Sequence, residues 1–237
     1  MKIEDIHPLK IEIDSFEIIQ ANLRKKVKLE TSAKDQDIKF CAGVDVAYWE
    51  ETGVEWGVCS IIVIDYETRT IVEKAVSKAE IHVPYRPGYL AYRELPLVIE
   101  AAKKLTITPD LFIFDGNGIL HPRRMGIATH ASFFLNKPTI GIAKSYFKID
   151  GVNFKMPKNV AGSYKDIIVK NEIYGRALRT HTDVKPIFIS CGNLIDLPMT
   201  TEITLKLINN ESRLPIPVRL ADLETKRLRK MFDSTRS

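Results

Sequence analysis

Three acids stand where acids are costly. Asp45 lies inside the apolar run Phe40-Cys-Ala-Gly-Val-Asp-Val-Ala-Tyr48. Asp115 ends Leu111-Phe-Ile-Phe114 and precedes Gly116-Asn117-Gly118, and Glu94 shares a helical stripe with Leu90, Leu97 and Ala101. A carboxylate in such surroundings loses hydration unless a cation or strong donors compensate. Each has a plainer account: Asp45 as a hydrogen-bonded strand aspartate, Asp115-Gly116 as a turn, Glu94 as an ion-pair partner of Arg93. Their order along the chain adds what no single one supplies. One acid on the first strand, one on the helix after the third and one ending the fourth can converge on one side of a sheet. Hard oxygen ligands without a Cys–His cluster select Mg²⁺, with Mn²⁺ able to substitute, over zinc. Such a cation polarises a phosphate oxygen and lowers the pKa of an attacking water, the two tasks of phosphodiester hydrolysis.

Two basic residues extend the set. His121 lies six residues past Asp115 in the loop Gly118-Ile-Leu-His-Pro122, and Lys144 terminates the apolar run Pro138-Thr-Ile-Gly-Ile-Ala143. His121 could orient water, touch phosphate or reach the metal indirectly. Lys144 could stabilise developing negative charge. Either could equally be a solvated side chain. Pro84-Tyr85-Arg86-Pro87-Gly88 is a stiff loop with an aromatic near its tip. Prolines fix φ, so the loop either displays Tyr85 to fill the space left by an unstacked base or packs it as a connector.

The elements that must position these residues follow from periodicity. Phe16, Ile19, Leu23 and Val27 predict a helix over 16–29. Strand-like runs follow at 39–48, 56–66 and 70–82, the last two joined as an antiparallel hairpin by Glu67-Thr68-Arg69-Thr70. A helix at 90–105, a buried strand at 111–114, a helix at 125–135 and a buried strand at 138–143 come next. Residues 166–169 and 173–178 form a second hairpin, 187–190 another strand, and helices at 198–209 and 217–231 close the chain. A meander followed by strand–helix alternation predicts an α/β fold, most economically a central mixed five-stranded sheet flanked by helices on both faces. No repeat or Gly/Ser linker divides the chain, so one domain over residues 1–237, with short, loose tails, is expected.

Composition bounds the rest. The 45% hydrophobic and 27% charged content is globular, and 35 Lys+Arg against 30 Asp+Glu gives +5, which suits a polyanion without requiring one. Cys41, Cys59 and Cys191 are widely spaced and form no C-x-x-C pair, as buried thiols in a reducing compartment would be. The charged start Met1-Lys2-Ile3-Glu4-Asp5 is not a signal peptide, and no run reaches the length of a membrane span. A cytoplasmic protein without membrane contact is expected, and a monomer suffices.

Five ordered segments together resemble the endonuclease V family: Cys41-Ala-Gly-Val-Asp-Val-Ala-Tyr48, Pro84-Tyr-Arg-Pro-Gly-Tyr-Leu-Ala-Tyr-Arg-Glu94, Phe114-Asp-Gly-Asn-Gly-Ile-Leu-His-Pro-Arg-Arg-Met-Gly126, Gly141-Ile-Ala-Lys-Ser145 and Arg213-Leu-Pro-Ile-Pro-Val-Arg-Leu-Ala-Asp222. The resemblance spans residues 15 to 230 and implies a ribonuclease H-like fold. It implies hydrolysis of the second phosphodiester bond 3′ to deoxyinosine in DNA, leaving 3′-hydroxyl and 5′-phosphate ends, with inosine-containing RNA open as a second substrate. By motif match, Asp45, Glu94 and Asp115 are the metal ligands, and His121 and Lys144 are further active-site residues. Tyr85 is the strand-separating wedge, and the backbones of Gly88, Leu90 and Gly116 read hypoxanthine. The chain departs from the family where Ser190-Cys191-Gly192-Asn193 replaces Ser-Pro-Gly-His, and where Arg86 replaces an apolar wedge residue. Two other readings are a structure-selective ribonuclease H-like nuclease and a silent nucleic-acid binder. Three intact carboxylates argue against the binder, which has no use for negative charge beside phosphate.

Overall fold

Side chains alternate along a strand, so a strand that is apolar on both faces needs cover on each side. In the computed structural model, which describes residues 1–10, 12–31 and 35–233, β1 (Phe40–Glu51) and β2 (Val54–Asp65) receive that cover. Ala42, Val44, Cys59, Ile61 and Val63 pack into one core with α2 (Leu90–Lys103) and α3 (Ile127–Leu135). Cys41, Ile62 and Ile64 point the other way, into a second core with α4 (Leu197–Lys206) and α5 (Ile216–Asp233).

The five expected central strands are present but belong to a larger sheet. With β3 (Ile71–Glu80), β4 (Leu111–Asp115), β5 (Thr139–Ala143), β6 (Tyr164–Val169), β7 (Glu172–Leu178) and β8 (Ile187–Asn193), the order is β3-β2-β1-β4-β5-β8-β7-β6. The sheet therefore has eight strands, not five. β4 pairs in parallel with both β1 and β5, and β8 then pairs antiparallel with β5 and carries the β6–β7 hairpin. Each strand was legible as a strand. The β5–β8 pairing joins segments far apart in sequence, and periodicity says nothing about which strand is whose neighbour.

The first helix also differs. α1 covers Phe16–Arg24, and the chain leaves it before residue 29 because the next segment is needed elsewhere. Val27 and Leu29 pack on the second core, while the Lys28 N–H donates to Asn193 Oδ1 at 2.8 Å and the Lys28 carbonyl accepts from Leu194 N at 2.7 Å. Asn193, at the family departure, thus holds this segment to β8. The N-terminal residues are not a loose tail: the Met1 ammonium donates to Leu105 O at 2.6 Å and Glu4 N to Phe134 O at 2.8 Å. The C-terminal tail, 234–237, lies outside the described residues. Among the described residues no helix is long and apolar enough to cross a membrane.

Candidate active site

Strand parity brings the acids together. On β1 the odd positions Cys41, Gly43 and Asp45 face α5, as do Leu111, Ile113 and Asp115 on β4. Ile140 and Ile142 on β5 face the same side, and Lys144 continues their parity one residue past the strand end. α5 lies along β1 and presents Asp222 and Thr225 to this edge. One carboxylate oxygen from each of Asp45, Asp115 and Asp222 lies within 4.8 Å of the others. Thr225 Oγ1 donates to Asp45 Oδ2. Lys144 Nζ sits 2.5 Å from Asp115 Oδ2 and 2.7 Å from Asp222 Oδ1, and Asp222 Oδ2 takes Lys226 Nζ at 2.8 Å and Arg219 Nη1 at 3.0 Å. Asp45, Asp115, Lys144, Asp222, Thr225 and Lys226 line a cleft of about 400 Å³, with Tyr48 and Arg229 at its sides.

Glu94, expected to complete the trio, approaches from the opposite face and is not one of the three acids whose oxygens lie within 4.8 Å of one another; Asp222 takes that place. Even positions of β1 look toward α2, so Tyr48 meets α2 and its hydroxyl donates to Glu94 Oε1 at 2.6 Å. Glu94 is buried, and its alternative partner Arg93 is bound to Glu55 and Val83 O instead. Burial, together with the charges of Asp45 and Asp115, raises the Glu94 carboxyl to about 8 against the Tyr48 hydrogen bond. Burial and the neighbouring Asp115 raise Asp45 to about 7. Asp222 is the contrast: burial works against its ionised form, but the bonds from Lys144 and Lys226 outweigh it and hold the carboxyl below its ordinary value. Burial likewise opposes the Lys144 charge, and Asp115 and Asp222 raise its pKa in spite of it.

Lys226 and Arg219 serve Asp222, which leaves Lys144 as the cation nearest the other acids. The negative charge left over, on oxygen donors alone, fits a hard divalent cation. Asp222 is the residue that sequence reasoning missed. Flanked by Arg219 and Lys226 at helical spacing, it reads as a surface ion-pair ladder, yet it is 3% exposed. The available signal was its place on the stripe Val218, Ala221, Thr225 and Leu228, all buried.

Of the remaining expected residues, Tyr85, Gly88, Leu90 and His121 gather in a second, smaller cavity of about 110 Å³, lined also by Asn117 and Phe147 among others. Tyr85 is 64% exposed, which settles its side chain as displayed and not packed. His121 belongs to this wall and not to the acidic cleft. Its Nδ1 accepts from Arg123 N at 3.1 Å, so Nε2 carries the proton and donates to Gly88 O at 3.1 Å. Burial and the Arg123 charge lower its pKa to about 4, so the ring is neutral. Gly116 does not line the cavity itself: its N–H is bonded to Ile142 O at 2.9 Å, and the following Asn117 forms the wall. A larger cavity, about 670 Å³ between Leu9, Ile81, Pro96 and neighbouring residues, contains none of the acid cluster. Its size does not outweigh the chemistry concentrated elsewhere.

A family profile described as Endonuclease V matches residues 21–223. A protein named endonuclease V from Clostridium acetobutylicum is 60% identical over 230 residues, covering 97% of this chain and 98% of that one. The crystal structure of the Bacillus subtilis endonuclease V superposes with a TM-score of 0.96 at 56% identity, over 99% of this chain and 100% of that one. The Ciona intestinalis endonuclease V, solved with a 24mer DNA containing an inosine followed by a ribo-adenosine, gives 0.79 at 28% identity over 93% and 98% of the two chains.

Proposed function

The chain belongs to the endonuclease V family, and on that premise we propose that it hydrolyses the second phosphodiester bond 3′ to deoxyinosine in DNA, using Mg²⁺. The P–O3′ bond breaks, the oxygen of water stays on the 5′-phosphate, and O3′ leaves as the 3′-hydroxyl with a proton. The base is not excised. The observation that carries the reading is the convergence of Asp45, Asp115 and Asp222 at one sheet edge with Glu94 behind them.

Asp45, Glu94 and Asp115 hold the cation in this reading, and Asp222 joins them. Bound there, Mg²⁺ supplies Lewis-acid polarisation of the phosphate and a more acidic water. Lys144 Nζ, already between Asp115 and Asp222, offers positive charge to the phosphate oxygens as negative charge develops. Lys226 and Arg229 line the same cleft and offer charge to the strand backbone. Tyr85 wedges the space left by the flipped nucleotide, and its exposure supports that role. The smaller cavity takes the base against the backbones of Gly88 and Leu90, Gly116 contributes only through the Asn117 wall that follows it, and His121 braces the Gly88 turn. At about 110 Å³ it lies below the roughly 300–1,000 Å³ of drug-sized sites, as a slot for a single heterocycle would.

The ribonuclease H-like arrangement, a single domain over residues 1–237 and cytoplasmic action as a monomer belong to the same reading. Buried free thiols at Cys41, Cys59 and Cys191 support the compartment. Inosine-containing RNA is a second substrate to be tested beside DNA. Matched strands carrying adenine or inosine, as DNA and as RNA, incubated with Mg²⁺, Mn²⁺ or EDTA, test the proposal. Cutting confined to the inosine strands and lost in EDTA is expected. Equal cutting of both strands, cutting governed by branch geometry regardless of inosine, or cutting that survives EDTA contradicts it.

A further inference from the structure

Gln20 on α1 is a fully buried amide with no part in the chemistry described so far. Its Nε2 donates to Gly88 O at 3.1 Å and to Met125 O at 3.4 Å, while its Oε1 accepts from Arg123 Nε at 2.6 Å. Arg123 in turn donates through Nη2 to Gly88 O at 2.6 Å and stacks its guanidinium over Tyr89, 4.1 Å from the ring centre. His121 Nε2 is the third donor on the same oxygen, at 3.1 Å. Gly88 has φ +83, and a Cβ there would lie 2.5 Å from Arg123 Nη2. The turn therefore needs glycine for its left-handed backbone, and a side chain there would push the Arg123 guanidinium off this oxygen.

Three donors converge on a carbonyl oxygen that has two lone pairs. That oxygen has no capacity left for a base in the adjoining cavity, so any hydrogen bond Gly88 makes to a base must come from its N–H. A donor there suits the 6-oxo group of hypoxanthine and opposes the 6-amino group of adenine, which would need an acceptor. We infer that Gln20 and Arg123 are positioning residues for substrate selection: with His121, they clamp the Gly88 carbonyl away from the base and so hold the slot to 6-oxo purines. The inference rests on reading the smaller cavity as the base site. It assigns a reason for burying an amide and a guanidinium beside a glycine turn, where an apolar contact would have tied α1 down without desolvating either.

The test uses single strands, which need no wedge, carrying inosine or adenosine at one position, under single-turnover conditions with Mg²⁺. Gln20→Met keeps the length of the side chain and removes both hydrogen-bonding ends. Arg123→Lys keeps the charge and cannot hold Gln20 and Gly88 together. In each variant the preference for inosine over adenosine, compared as rate over half-saturating concentration, is expected to fall by about tenfold or more, the scale of one lost charge-assisted or buried hydrogen bond. Thermal unfolding run alongside shows whether each variant is folded, and Arg123→Lys carries the test alone if Gln20→Met does not fold. A folded variant that loses the same factor on both substrates, leaving the preference unchanged, overturns the inference. A wild-type enzyme that cuts inosine and adenosine strands alike overturns the functional reading beneath it, and that result is seen before any variant is compared.

Discussion

The two acids pushed furthest from their ordinary range, Asp45 at about 7 and Glu94 at about 8, give the metal-free protein a pH signature. Both bind their protons more tightly folded than unfolded. Between the usual carboxylate range and about 8, the folded chain thus retains protons that the unfolded chain has released, and stability falls as pH rises through that window. A cation held by the ionised carboxylates offsets the loss. Mg²⁺ should accordingly raise Tm more at pH near 8.5 than near 5.5, as read by scanning calorimetry; an equal increment at both would contradict the assignment. His121, depressed to about 4, works the other way as pH falls below its ordinary value, but it cancels from the Mg²⁺ increment. At this scale the sequence was informative where an acid interrupts apolar strands, at Asp45 and Asp115. At Asp222 the helical ion-pair spacing to Arg219 and Lys226 masked the apolar stripe that marks the position as buried. His121 was legible as a loop residue near Asp115, but its placement in the wall of the smaller cavity was not, since that depends on where Gly88 lies in space.

Among elements, α5 matters most to the site, because it brings Asp222 and Thr225 against β1. The two elements meet at Gly43, where a Cβ would fall 2.1 Å from the backbone carbonyl of Pro217. The obstacle is backbone, which cannot swing aside as a side chain can. Gly43→Ala is therefore expected to cost about 1–3 kcal/mol or more in urea unfolding and to lower cleavage by shifting α5 and its carboxylate. A change within about 0.5 kcal/mol, the range of ordinary surface substitutions, would show that α5 is not seated as described. The elements themselves were legible from periodicity, including the α2 stripe that carries Glu94. The early end of α1 was not, because Val27 continues a helical pattern while its backbone neighbours are claimed by β8.

For the whole molecule, the unread feature was the joining of eight strands into one sheet, which rests on the nonlocal β5–β8 pairing. Net charge, by contrast, was legible directly from composition. An acidic cleft repels a phosphodiester, so the proposed substrate requires attraction from elsewhere, for which the +5 balance and the Lys226 and Arg229 side chains at the cleft are available. Binding to inosine and adenine strands should weaken in parallel as salt rises, linearly in a log–log plot; salt-insensitive binding would remove the electrostatic part of the account. The central claim is that the carboxylate cluster drives hydrolysis through a bound cation, and Asp115→Asn tests it most directly. With cleavage and binding of one inosine strand measured side by side in Mg²⁺, the variant should bind at least as tightly as the wild type, since a charge facing phosphate is gone, and should not cut. Normal cutting by Asp115→Asn would contradict the account.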